Sequence, residues 1–304
     1  MQTALAGLVA VALLIGCAAH QTSPQGPSRP EGDFGVLIMA HGGPAEWNAA
    51  VLDSVKPLRE RYDVEVAFGM ADATTIQEAV RKLEARGARR IGVVRLFVSG
   101  ASWYERTQQI LGIAPGAPNT KPALHGEHAG HGMAFFRIDT RASFALSKDG
   151  LADADTMGIV LAERAATLSH DPAKEDVLVL AHGPETDDEN AQWLTKLDVL
   201  TRAIRARTAF RRVQVETLRE DWPDKRAEAE ARIRSYVARA TTEGGKAIVI
   251  PFRVHGFGPY ADVLKGLDYV SDGNGLIPHP EVTRWILRQV TLLEAGPFSD
   301  PLRH

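Results

Sequence analysis

Ten histidines and a single cysteine frame the metal and acid–base chemistry open to this chain of 304 residues. Two of the histidines, His41 and His182, stand in the same Ala-His-Gly context, each directly behind an unbroken apolar run, Val36 to Ala40 and Val177 to Ala181. A neutral imidazole, with an ordinary pKa of about 6.5, is a usable base near neutral pH and a ligand for Co, Ni, Fe or Zn. At the end of a buried strand it is held rigidly, which suits both tasks. A third candidate, His255, follows the apolar run that closes at Phe252. A separate cluster, His125-Gly126-Glu127-His128-Ala129-Gly130-His131, offers three imidazoles and a carboxylate that can gather one metal in a Gly-rich loop.

Other chemistries find little support. One cysteine, Cys17, excludes a disulfide framework and any zinc site built on several thiolates. No Gly-rich phosphate loop or dinucleotide fingerprint is present, so no nucleotide cofactor is expected. No nucleophile elbow supports Ser-His-Asp hydrolysis. An alanine, where a histidine phosphatase needs an arginine, precedes both strand-end histidines. With 35 Lys and Arg against 38 Asp and Glu, the formal charge of -3 gives no electrostatic reason to expect nucleic acid. The acidic run Glu185, Asp187, Asp188 and Glu189 reads as a solvated helix start. Arg89-Arg90 and Arg211-Arg212 suit either surface charge or contacts to substrate carboxylates.

The elements that must position these residues occur twice. Val36 to Gly43 matches Val177 to Pro184, Ile91 to Phe97 pairs with Lys246 to Phe252, and the segment from Gly150-Leu151 to Leu168 aligns with Gly275-Leu276 to Leu293. Short continuous runs of Val, Ile and Leu closed by Gly suit parallel strands buried on both faces. Between them lie helical stripes. Thr75 and Glu78 have capping-box spacing ahead of Ile76, Val80 and Leu83, with Gly87 as a C-cap. Ile233, Tyr236, Val237 and Ala240 form a second stripe, closed by Gly244. Trp193, Leu197, Leu200 and Ile204 form a third, for which Trp47, Val51, Val55 and Leu58 are the first-copy counterpart, with Pro57 bending or ending that helix. The second copy is longer early on, and the first carries a Gly-, Pro- and His-rich insertion at about 112–140. Alternating strands and helices predict an α/β fold of two duplicated parallel sheets, with a cleft at the C-terminal ends of the strands.

The N-terminus reads separately. The apolar run Ala4 to Ile15 is shorter than the roughly 20 residues that span a bilayer, and has the length of a secretory signal core ending in Leu14-Ile15-Gly16-Cys17. That tetrapeptide resembles a bacterial lipobox, although Met1-Gln2-Thr3 carries no positive charge. An uncleaved anchor or a buried free cysteine is the alternative. The Gln-, Ser-, Pro- and Gly-rich stretch that follows reads as a flexible tether. The expected organisation is a signal at 1–17, a tether at 18–33, lobes at 34–172 and 173–296, and a tail at 297–304. Lipidation of Cys17 would place the protein on the extracytoplasmic (periplasmic) side, anchored to the membrane.

Three stretches, the strand-end Ala-His-Gly, the run Ala71 to Ala79 leading to Gly87–Val94, and the closing strand and helix of each copy, resemble the class II chelatases of the sirohydrochlorin cobaltochelatase type. His182 to Asn190 is similar to the polar loop after that family's first histidine. The resemblance implies two flavodoxin-like lobes in pseudo-twofold arrangement and insertion of a divalent metal (Co, Ni or Fe) into a tetrapyrrole, as in cobalamin or porphyrin biosynthesis. It makes His41, His182 and His255 the expected metal ligands and catalytic bases, with His125, Glu127, His128 and His131 as an accessory site. The family's second histidine is missing from the first copy, at Ser99 to Tyr104, and His255 stands about three positions early in the second. A non-catalytic lipoprotein that binds metal or tetrapyrrole is the alternative function.

Overall fold

The computed structural model describes residues 32–119 and 133–302. The signal segment with Cys17, most of the tether, and the cluster His125, Glu127, His128 and His131 lie outside the described residues. The first half forms a parallel sheet of β1 (Phe34–Ala40), β2 (Asp63–Phe68), β3 (Arg90–Leu96) and β4 (Ser143–Leu146), in the order β2-β1-β3-β4. The second repeats it with β5 (Glu175–Ala181), β6 (Arg212–Thr217), β7 (Lys246–Phe252) and β8 (Tyr269–Val270), in the order β6-β5-β7-β8. Every residue of β1 and of β5 is buried, as expected of strands covered on both faces.

Helices α1 (Ala45–Val55), α2 (Ala73–Ala85) and α3 (Tyr104–Ile110) belong to the first half, and α4 (Met157–Leu168) closes it. The second contains α5 (Asp187–Arg207), α6 (Pro223–Thr242) and α7 (Tyr260–Val263), closed by α8 (Pro280–Glu294). Outer layers are built by α2 and α3 on one sheet and by α6 and α7 on the other. The layer between the sheets is shared. Val36 and Ile38 of β1, Val177 and Val179 of β5, and apolar residues of α1, α4, α5 and α8 form one continuous core.

Within that layer the closing helices change places. α4, which ends the first half, packs on α5 and β7, whereas α8, which ends the second, packs on β3, β4 and α1. The chain then returns to the first sheet, where Ser299 bridges Phe144 and Phe298 meets the Phe34 ring. A division of the chain at 172/173 therefore separates the two sheets but not the helices that cover them.

Hydrogen bonds define the repeat more sharply than the sequence comparison. Ala40 pairs with Leu96, and Ala181 with Phe252, so Phe252 corresponds to Leu96 rather than to Phe97. The Gly150-Leu151 and Gly275-Leu276 equivalence holds: Leu151 N–H donates to Phe97 O and Leu276 N–H to Arg253 O. Position 255 therefore matches Ser99. α2 starts earlier than the Thr75–Glu78 spacing predicts, because Asp72 caps it, accepting from Thr74 N at 2.8 Å and Thr75 N at 3.1 Å. Pro57 lies in a short 3-10 turn at 56–60, directly after α1 ends.

Candidate active site

In an open parallel sheet the ligand crevice lies beyond the C-terminal strand ends where the chain order reverses direction. Here that is between β1 and β3 in one sheet and between β5 and β7 in the other. His41 directly follows β1, His182 directly follows β5, and His255 lies three residues beyond β7. The glycine after each strand-end histidine is required. Gly42 and Gly183 have φ of 80° and 82°, and a side chain on either would press against β2 or the end of β6.

This turn also sets the tautomer. His41 Nδ1 lies 2.7 Å from Gly42 O, and His182 Nδ1 lies 2.6 Å from Gly183 O. A carbonyl only accepts, so both Nδ1 atoms carry hydrogen and donate, which leaves Nε2 as the working nitrogen.

Around His182 the second lobe assembles a charged mouth. Nε2 faces Asp221 Oδ2 at 3.0 Å and Glu220 Oε2 at 3.9 Å, and the Trp222 edge stands against the imidazole at 5.9 Å. Two acceptors facing one another need a cation between them, either a proton on Nε2 or a metal ion. Ligands about 2.1 Å from one metal at a right angle are themselves ~3 Å apart. Arg253, beside His182 in the register of β5 and β7, forms an ion pair with Glu220 through Oε1, leaving Oε2 turned to the histidine. Gly258 gives this guanidinium its space, since a Cβ there would come within 2.7 Å of Arg253 Cζ. The buried Tyr260 ring lies 5.6 Å below it.

His41 and His255 come together elsewhere in the cleft. Trp47, in the first turn of α1, has the His41 ring at 6.1 Å and the His255 ring of the other lobe at 6.4 Å, with Phe68 at 6.4 Å behind it. The two mouths thus meet across this indole. No hydrogen bond, ion pair or ring contact among the described residues joins His182 to either of the other two. Nor do any three His, Cys, Asp or Glu among the described residues gather closely enough to hold a metal by themselves.

Ser99, the counterpart of His255, lies in a loop with a structural task. Arg95, almost fully buried in β3, donates to Ser147 O, Ser102 O and Gly100 O at 2.7–3.0 Å. Burial pushes its pKa down to about 10. The paired arginines lie away from the cleft. Arg90 binds Asp33, and Arg211 and Arg212 both bind Asp176, at the N-terminal ends of the strands, so neither meets a substrate there. The acidic run does begin a helix: Thr186 caps α5, while Asp187 accepts from Arg219 and Lys225.

Glu220, Asp221 and Arg253 are the site residues that sequence reasoning missed. The available signal was positional: β6 lies beside β5, so whatever follows Thr217 comes abreast of His182.

A family model described as CbiX matches residues 35–131, the first-lobe stretch from β1 into the insertion. Two structures of SirB from Bacillus subtilis align over 88% of this chain and 99% of their own. The one with Fe3+ has 14% identity and a TM-score of 0.59. The other, the sirohydrochlorin chelatase in complex with cobalt, has 12% identity and a TM-score of 0.54. The fold is chelatase-like. DR2241 from Deinococcus radiodurans, a multi-domain protein described as structurally similar to chelatases, aligns at 19% identity with a TM-score of 0.50. The alignment takes in 84% of this chain and about half, 54%, of that one. No curated protein matches in sequence.

Proposed function

We propose that this chain is a metal chelatase that inserts a divalent metal, Co, Ni or Fe, into sirohydrochlorin or a related tetrapyrrole. The observation that carries the reading is the gap between His182 Nε2 and Asp221 Oδ2, 3.0 Å wide, with Glu220 Oε2 alongside at the C-terminal end of β5. The first-lobe match to the CbiX model and the fold shared with SirB support it.

Insertion replaces two pyrrole N–H protons by one M²⁺ and releases two H⁺. Metal held by His182 Nε2 and Asp221 keeps open positions for the macrocycle nitrogens. Once it transfers, the vacated imidazole and carboxylates are bases for the two protons. His41 and His255 stand against Trp47, apart from His182. His125, Glu127, His128 and His131 supply an accessory metal site in this scheme, and lipidation of Cys17 holds the protein to the membrane on the extracytoplasmic side.

The test is anaerobic incubation of the full chain with sirohydrochlorin and each metal, following the macrocycle absorption against a protein-free blank. Multiple-turnover insertion that falls at least ~100-fold in His182→Ala is the expected result. A spectral change that saturates at one equivalent, with insertion no faster than the blank, means a carrier instead. No spectral change means the ligand is wrong.

A further inference from the structure

Duplication gives each cleft residue a counterpart, and the two mouths have diverged in a consistent direction. The buried positions Val51, Ser54 and Val55 of α1 match Leu197, Leu200 and Thr201 of α5, so Trp47 corresponds to Trp193. Sheet register places Phe68 opposite Ala40, and Thr217 opposite Ala181, so these two correspond. The two turns that follow contain matching left-handed residues, Met70 at φ 63° and Arg219 at φ 57°, and directly after them Ala71 stands where the second lobe has Glu220. Along this stretch the first lobe presents Phe, Met and Ala where the second presents Thr, Arg and Glu.

The fold does not demand this. The second copy closes its lobe with its tryptophan held farther along the chain from the strand-end histidine, eleven residues on against six in the first. Trp193, the counterpart of Trp47, lies a turn further into α5. Trp47 instead stands half-buried behind the exposed turn at 41–46 and reaches across to His255.

We propose, resting on the chelatase reading, that the cleft divides its labour: the first-lobe wall of Trp47 and Phe68 takes the conjugated ring of the macrocycle, and the second-lobe mouth of His182, Asp221 and Glu220 handles metal and protons. A planar conjugated ring gains from apolar and edge-on aromatic contact. The carboxylates of a tetrapyrrole rim would be repelled by Asp221 and Glu220, and can accept a hydrogen bond from His255, which faces the indole.

The experiment titrates sirohydrochlorin, without metal, and separately Co²⁺, without macrocycle, into the full chain and its variants. Trp47→Ala weakens sirohydrochlorin binding by about tenfold or more and leaves Co²⁺ binding as in the wild type. Trp47→Phe, which keeps an aromatic ring against Phe68 and so guards against misfolding, falls between. Asp221→Asn does the reverse, weakening Co²⁺ and sparing sirohydrochlorin. Wild-type sirohydrochlorin affinity in both Trp47 variants overturns the division, as does an equal loss in Asp221→Asn. A wild-type chain that binds Co²⁺ but no sirohydrochlorin overturns the chelatase reading and this inference together.

Discussion

In the proposed scheme one nitrogen of His182 serves in turn as proton carrier and metal ligand, because Nδ1 is committed to the Gly183 carbonyl. Proton and divalent cation therefore compete for the same gap facing Asp221. Co²⁺ binding is expected to weaken in acid, where protons compete for the ligands, and to expel up to one proton per metal from this site. Calorimetric titration in buffers of different ionisation enthalpy measures that number; His182→Ala abolishes the release, and release that persists in this variant refutes the assignment. The histidines were legible as strand-end chemistry because an apolar run closed by His-Gly has a distinct pattern. Glu220 and Asp221 were not, because the five residues between β6 and α6 have no periodicity and gain their meaning only from the strand alongside. Trp47 was read as part of a buried stripe; its neighbours Val51 and Val55 are buried there, while the indole sits at the mouth.

The central strands β1, β3, β5 and β7 were the most legible elements, since burial on both faces writes an uninterrupted apolar run. Helix starts were less so: the cap of α2 is Asp72, which also accepts from Ala134 N at 2.7 Å on the returning insertion, a tie that local sequence does not encode. The arginine pairs show why charge runs mislead. Asp176, whose side chain is fully buried at the start of β5, is held by Arg211 at 2.8 Å and by Arg212 at 2.5 Å. Burial alone would raise its pKa, but the hydrogen bonds and charges of the two arginines outweigh burial and hold it below the usual carboxylate value. A depressed folded pKa contributes stability that is present above the unfolded value of about 3.9 and lost as pH falls through the folded value. Asp176→Asn is therefore expected to cost about 3 kcal/mol at pH 7 in denaturant unfolding. The difference from wild type should narrow below pH ~4; a difference constant down to pH ~2 rules out this origin.

For the molecule as a whole, duplication and alternation were enough to anticipate two parallel sheets, whereas the exchange of closing helices was invisible, because α4 and α8 carry similar apolar stripes that suit either sheet. The exchange makes each half incomplete alone. A chain ending at residue 279 lacks α8, leaving the face of β3 and β4 and the side of α1 uncovered. It is expected to lose cooperative unfolding in both lobes, and adding the missing segment in trans should restore it in part. Independent melting of an intact second lobe would contradict that. The same arrangement sets a timetable for a chain made from its N-terminus. Sheet one is synthesised before sheet two, yet its last covering helix emerges only after every strand of sheet two, and Phe298 and Ser299 follow it. Of the two lobes, the one made first is thus the one finished second, and until α8 emerges its apolar face stays open to chaperones, proteases or a neighbouring nascent chain.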